Sequence, residues 1–190
     1  MILTSNKALD AVNDMMTAIG EAPVNTLENS ENVDVINAIR VLDKVNRQIQ
    51  GKGWSFNTIE ETTLLPDLYT HKIRWQEDIL YIVGTDGTKY IHKGDYVYDF
   101  DNQTDTFEDT GIDVELIRLV DFEYMPDPVR DYIVAKATSI FQRQTLNDGD
   151  LAQGLQEQEQ EAWAALQEYE MELNDWTMFD LENVQELKSR

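Results

Sequence analysis

The spacing of apolar residues changes twice along this chain, and that change constrains the fold more than any other feature. Over residues 5–50, and again from 126 onward, apolar side chains recur every three or four positions, as on a helix with one buried face. Between 54 and 125 the pattern shortens to alternating or compact β-rich runs punctuated by Gly, Pro, Asn and Asp. The expected class is therefore α+β: a helical bundle of two N-terminal and two C-terminal helices with an inserted antiparallel β-sheet lobe. The expected divisions are 1–53 and 126–174 for the helices, 54–125 for the β lobe and 175–190 for a C-terminal tail.

The first helix is expected from Ser5 to Ile19, with Leu9, Val12, Met15, Met16 and Ile19 on its apolar face. Thr4 or Ser5 can cap its start, and Gly20 followed by Pro23 ends it. A second helix follows Asn29-Ser30 and runs to about Gln50, its stripe being Val35, Ile36, Ile39, Leu42, Val45 and Ile49, with Gly51 and Gly53 beyond. Pro126-Asp127-Pro128 predicts a cap and an N1 proline before a third helix carrying Val129, Ile133, Ala137, Ile140 and Phe141. The break Asn147-Asp148-Gly149-Asp150 precedes a long last helix with Leu151, Leu155, Ala162, Leu166, Tyr169 and Leu173 on its buried stripe.

In the middle third, Trp54-Ser55-Phe56 leads to Thr62-Thr63-Leu64-Leu65, stopped by Pro66. The apolar run Ile79–Val83 is followed by the hairpin signal Asp86-Gly87 and by Tyr90-Ile91-His92. Tyr96, Tyr98 and Phe100 alternate with Val97 and Asp99, which suits a strand with an aromatic face. After the polar turn Asn102–Asp105 a last strand is expected over Ile112–Val120, making the lobe an antiparallel meander.

Motifs for chemistry are missing where each would have to be. Only two histidines occur, His71 and His92, and neither stands in an H-x-x-x-H or H-E-x-x-H context, so no metal site is expected. The acidic turn beginning at Asp99 has Thr104 where a calcium loop needs Gly and Thr110 where it needs Glu, and reads as a hairpin turn. Gly51-Lys52-Gly53 is a helix stop rather than a phosphate loop, and no G-x-S-x-G offers a nucleophile. No cofactor is expected. With 37 acidic residues a carboxylate pair can be drawn almost anywhere, so residue type alone leaves a glycan hydrolase standing as the alternative function without pointing to it.

Charge is the outlying bulk property: 15 basic against 37 acidic side chains give a net −22. Such a surface repels phosphates, which argues against sequence-specific nucleic-acid binding and fits either plain solubility or a surface past which DNA slides. Cysteine is absent, which removes disulfides and thiolate chemistry. No run approaches the roughly 18 apolar residues of a membrane span. The opening Met1–Lys7 lacks a basic segment leading into an apolar one, so no secretory signal is expected.

Two charge stripes stand out. Arg40, Lys44 and Arg47 fall on one side of the second helix. Glu157, Glu161, Glu168 and Glu172 share one face of the last helix, where like charges four apart cost roughly 0.2–0.5 kcal/mol per pair. Three readings of the acidic stripe stand: a solvated face, a face that meets a basic partner such as the Arg40/Lys44/Arg47 side of a neighbouring subunit, or the wall of a DNA conduit. A further reading of the whole chain is an acidic interaction module.

The stretch Asp43-Lys44-Val45-Asn46-Arg47-Gln48-Ile49-Gln50-Gly51-Lys52-Gly53-Trp54-Ser55-Phe56-Asn57 closely resembles the tail tubular protein A family of short-tailed bacteriophages. Ala11–Asp14 through Ile19–Leu27, Thr63–Asp67, Gly94–Asp99, Ile117-Arg118-Leu119 with Met125-Pro126, and Gln156–Glu159 leading to Tyr169–Glu172 extend the likeness, in order, over nearly the whole chain. The resemblance implies a virion protein made in the host cytoplasm. It would act as the head-to-tail adaptor, a dodecameric ring between the portal and the nozzle formed by tail tubular protein B. Tail fibres would attach at that junction, and DNA would pass through the channel. It implies no catalytic residue. On this reading Arg40, Lys44 and Arg47 and the four glutamates belong to inter-subunit contacts. Trp176 and Phe179 belong either to the core or to docking on the portal.

Overall fold

Short polar side chains start the helices where the apolar pattern begins. The computed structural model describes residues 6–28 and 30–180, with side chains as far as Asn174. Helix α1 spans Lys7–Ala18, and its cap is Asn6, whose side chain accepts from the Leu9 N–H at 3.1 Å. The Glu123 carboxylate takes two more free donors, the N–H groups of Lys7 and Ala8. The candidates Thr4 and Ser5 lie outside the described residues. Gly20, at φ +82°, closes α1 in the left-handed region.

Helix α2, Val33–Gln50, starts on the Asn32 side chain, which accepts from Asp34 N–H at 2.9 Å. Its buried face is Val35, Ala38, Val41, Leu42, Val45 and Ile49. Ile36, expected inside, is 50% exposed. The buried arc is set by Val41 and Ala38 instead, because Ile36 lies one residue, about 100°, around the helix from Val35.

The strands are β1 Thr58–Leu64, β2 Ile79–Gly84, β3 Tyr90–Lys93, β4 Tyr96–Asp99 and β5 Ile112–Arg118. They do not form a meander. One antiparallel sheet has the order β1-β5-β2, and β3-β4 is a separate hairpin. The last strand takes the centre because it buries Val114, Leu116 and Ile117. β1 (TIEETTL) is mostly exposed, so it tolerates an edge. Its register shifts between Ile59 and Thr62, across Glu60-Glu61, a charged irregularity that discourages further strand pairing. Ile73, Ile79, Ile82, Tyr90, Val97, Val114 and Leu116 make the core, with Trp75 and Phe107 packed against it. On β4 the aromatic face is the outer one; Val97 and Asp99 point inward.

A 3-10 turn at Phe122–Tyr124 leads to α3, Asp127–Thr145. The cap falls on Pro126, which offers no side-chain hydrogen bond, so Asp127 and Pro128 sit one place further into the helix than expected. Buried Arg130 donates to the Met125 carbonyl oxygen at 2.9 Å and pairs with Asp127, occupying the helix start from inside. Val129, Tyr132, Ile133, Ala137 and Phe141 face the core; Ile140 is only half-buried.

Helix α4, Gly149–Asp180, starts on the Asp148 carboxylate and continues past 174, the expected end. Of its expected stripe only Leu166 is fully buried, and Leu151 is 49% exposed. At 32 residues α4 is roughly 48 Å long and outruns the 19-residue α3, and most of its described side chains stand at least partly in solvent.

Two compact units result, one from the segments up to Ile49 and from Asp121 on, the other from Gln50 to Val120. The second unit holds its own ends together. The Gln50 side-chain amide pairs with Val120, and Asn57 Nδ2 donates to the carbonyl oxygens of Gln50 (3.0 Å) and Arg118 (2.8 Å).

Candidate assembly surfaces

Charge on α2 is carried by side chains that the buried face leaves in solvent. Arg40, Lys44 and Arg47 are all exposed. Arg47 pairs with Asp43, one turn earlier, at 3.5 Å, a surface pair worth little in free energy. Arg40 and Lys44 have no acidic partner among the described residues.

Glu157, Glu161, Glu168 and Glu172 are likewise exposed along α4. Glu157 accepts from Gln153 at 3.4 Å, and none of the four has a cationic partner among the described residues. Within one chain the two stripes therefore do not meet. Glu159 of α4 does pair, at 2.9 Å from Lys136 of α3, on the other side of the helix. That bond raises the Lys136 pKa, against the opposing effect of burial. The Tyr132 ring lies beneath the Lys136 ammonium and tilts on Trp163 with centroids 5.0 Å apart. A pocket of about 420 Å³ opens beside this group, between α3 and α4. The pair was not picked out in the sequence because Lys136 and Glu159 are 23 positions apart and on different helices.

A second concavity, about 640 Å³, lies among α1, α3 and α4. Asp10, Asp14 and Asp131 line it beside Lys7 and Arg130, over a floor of small apolar residues. Burial raises the Asp14 carboxyl above the usual carboxylate range, with Asp10 adding to it. Burial raises Asp131 as well, opposed by the Arg130 guanidinium and reinforced by Asp127.

Both histidines sit in structural contacts. His71 Nδ1 is 3.1 Å from Asp109, and the His92 ring stacks on Trp75 at 4.8 Å. The turn at Asp99 is closed by its own carboxylate, which accepts from the Asn102 backbone and side chain. No group of three or more potential metal ligands occurs among the described residues, nor any helix long and apolar enough to cross a membrane. The side chains of Trp176 and Phe179 lie outside the described residues.

Against known families, the model for a tail tubular protein matches residues 9–176. A comparison with curated proteins finds no match.

Proposed function

The chain belongs to the tail tubular protein family, a structural component of phage tails, and from that premise we propose that it is a head-to-tail adaptor. Copies would form a dodecameric ring between the portal and the nozzle protein, with tail fibres at the junction and DNA leaving through the channel. The observation that carries this reading is the separation of charge: exposed cations on α2 and an exposed acidic stripe on α4, unpaired with each other inside one chain. Complementary patches on different faces of a subunit make a heterologous contact, and such a contact closes into a ring when its rotation allows. The remaining acids suit a channel, because like charge keeps DNA from sticking. Salt screens that repulsion beyond about 10 Å, so acids lining the lumen would do most of the work.

The test is particle imaging of the chain mixed with portal. A closed ring stacked coaxially on the portal supports the reading, and its absence sinks it. Lys44→Glu or Arg47→Glu should block the ring, and adding Glu161→Lys to Lys44→Glu should restore part of it. Unchanged assembly in both single variants would remove the stripes from the interface.

A further inference from the structure

The segment between β1 and the core residue Ile73 exposes apolar side chains on a backbone that is held fixed. Leu65 is 69% exposed, Leu68 73% and Tyr69 93%, three large apolar groups within five residues. Single exposed apolar residues are ordinary, but a cluster on one ordered tip is not.

The fixing is explicit. The Asp67 carboxylate accepts from the Tyr69 N–H (3.1 Å), the Thr70 N–H (2.9 Å) and the Thr70 hydroxyl (3.0 Å). Two backbone bonds close the loop, His71 N–H to Asp67 O at 2.8 Å and Asp67 N–H to Lys72 O at 2.9 Å. From outside, residues 105–109 clamp it. Asp109 holds His71, Asp105 holds Lys72 at 2.6 Å, and the Phe107 N–H donates to the His71 carbonyl oxygen. His71 adopts φ +55°, a left-handed conformation uncommon for a non-glycine residue. Buried Pro66 and the close approach of Gly111 to Leu64 and Leu65 fix the base. A tip ordered before binding loses little conformational entropy on binding, which is what makes exposed Leu and Tyr side chains effective anchors.

We infer that the Leu65–Tyr69 tip is a pre-formed anchor that seats in an apolar socket rimmed by Lys or Arg on a different protein of the virion. The partner is different because the ground around the tip is acidic. Asp67, Asp105, Glu108 and Asp109 lie on the tip and its clamp, where Lys72 and His71 are the cationic or ionisable counterparts. A second copy has 15 basic against 37 acidic side chains, and its exposed stripe Arg40, Lys44 and Arg47 is the one the adaptor reading assigns to the ring contact, so it is not left to rim this socket. The inference rests on the adaptor reading for the presence of another virion protein against this chain, and it gives that partner its chemistry.

The experiment places a photo-crosslinker at the tip, Tyr69→p-benzoylphenylalanine, in assembled virions, and identifies the linked peptide by mass spectrometry. A link to another virion protein, at an apolar stretch flanked by Lys or Arg, is the expected result. A link to a second copy of this chain, or no link, overturns the inference. The double variant Leu68→Ser with Tyr69→Ser should keep the wild-type melting temperature, since both side chains are in solvent. Its incorporation into tails should fall at least about tenfold. Wild-type incorporation of that variant also overturns the inference. A count of copies per particle tests the ring separately, so failure of the ring and failure of the anchor give different signatures.

Discussion

The side-chain amide of Gln50 closes both hydrogen bonds on the backbone of Val120, donating to its carbonyl oxygen at 2.9 Å and accepting from its N–H at 2.8 Å. The two residues are 70 positions apart, the first and last of the β unit. One side chain thus does the work of a strand neighbour and ties the unit's ends. Asn13 does the same for Val24 after α1, with bonds of 3.0 and 2.7 Å. Gln50 is completely buried, so removing its amide leaves Val120 without these two partners. Gln50→Ala should cost roughly 2–6 kcal/mol, at about 1–3 for each of the two groups left unsatisfied. Urea unfolding measures it, and a loss under about 1 kcal/mol would mean that water replaces the amide.

Gly111 has φ +80°, and a Cβ there would run into the Leu64 carbonyl oxygen and the Leu65 side chain. Gly87 has a similar φ of +89° with nothing nearby. Gly111→Ala should therefore lose more stability than Gly87→Ala, which carries only the backbone penalty of about 1–2 kcal/mol. Paired thermal melts decide it; equal losses would show that the base of the Leu65–Tyr69 loop yields freely.

Asp14 is raised by burial and then by Asp10. A carboxyl with a raised folded pKa binds its proton more tightly in the folded state, so its ionisation works against folding. The penalty is absent below the usual value of 3.8 and grows as pH rises through the folded value. Asp14→Asn should stabilise the chain at neutral pH and remove the slope just above pH 3.8 in a stability profile. A destabilised variant at pH 7 would contradict this.

Lys136 carries a linkage of the same sign at the alkaline end of the scale. Its pKa is raised first by the hydrogen bond from its ammonium to Glu159, so its contribution is complete below 10.5 and is lost as pH climbs through the folded value. Lys136→Met should flatten the alkaline limb of the stability profile. An unchanged alkaline limb would remove Lys136 as its source.

Leu166 is the fully buried member of α4, whereas Leu151 stands largely in solvent. Leu166→Ala should cost about 2–5 kcal/mol and Leu151→Ala no more than about 0.5. Similar losses in the isolated chain would restore the longer stripe expected from spacing.

The helices were legible because their signals are local. Gly20 and the Asn147–Asp150 break act within one turn, and the apolar spacing of α1 and α3 needs no distant partner; α2 starts later than the Asn29-Ser30 signal, on the Asn32 side chain. The resemblance block from Asp43 to Asn57 contains Gln50 and Asn57, yet nothing in it says what they bond, since Arg118 and Val120 are some 60 to 70 residues away. The charge stripes on α2 and α4 were legible as patterns, and their exposure followed from the buried faces of the same helices. The Leu65–Tyr69 tip was passed over as a break after a strand, because exposure is a property of the folded surface.

By itself the sequence determined an α+β chain with helices at both ends and strands between, the turn at Asp86-Gly87, the net charge and a likeness to phage tail proteins. Tertiary structure alone decided that β5 lies between β1 and β2, that Ile36 and Leu151 face solvent, and that Gln50 meets Val120. Turn and cap preferences act over a few residues, whereas strand order and buried faces depend on which of several similar apolar surfaces removes most area from water. That competition is settled only when distant segments meet.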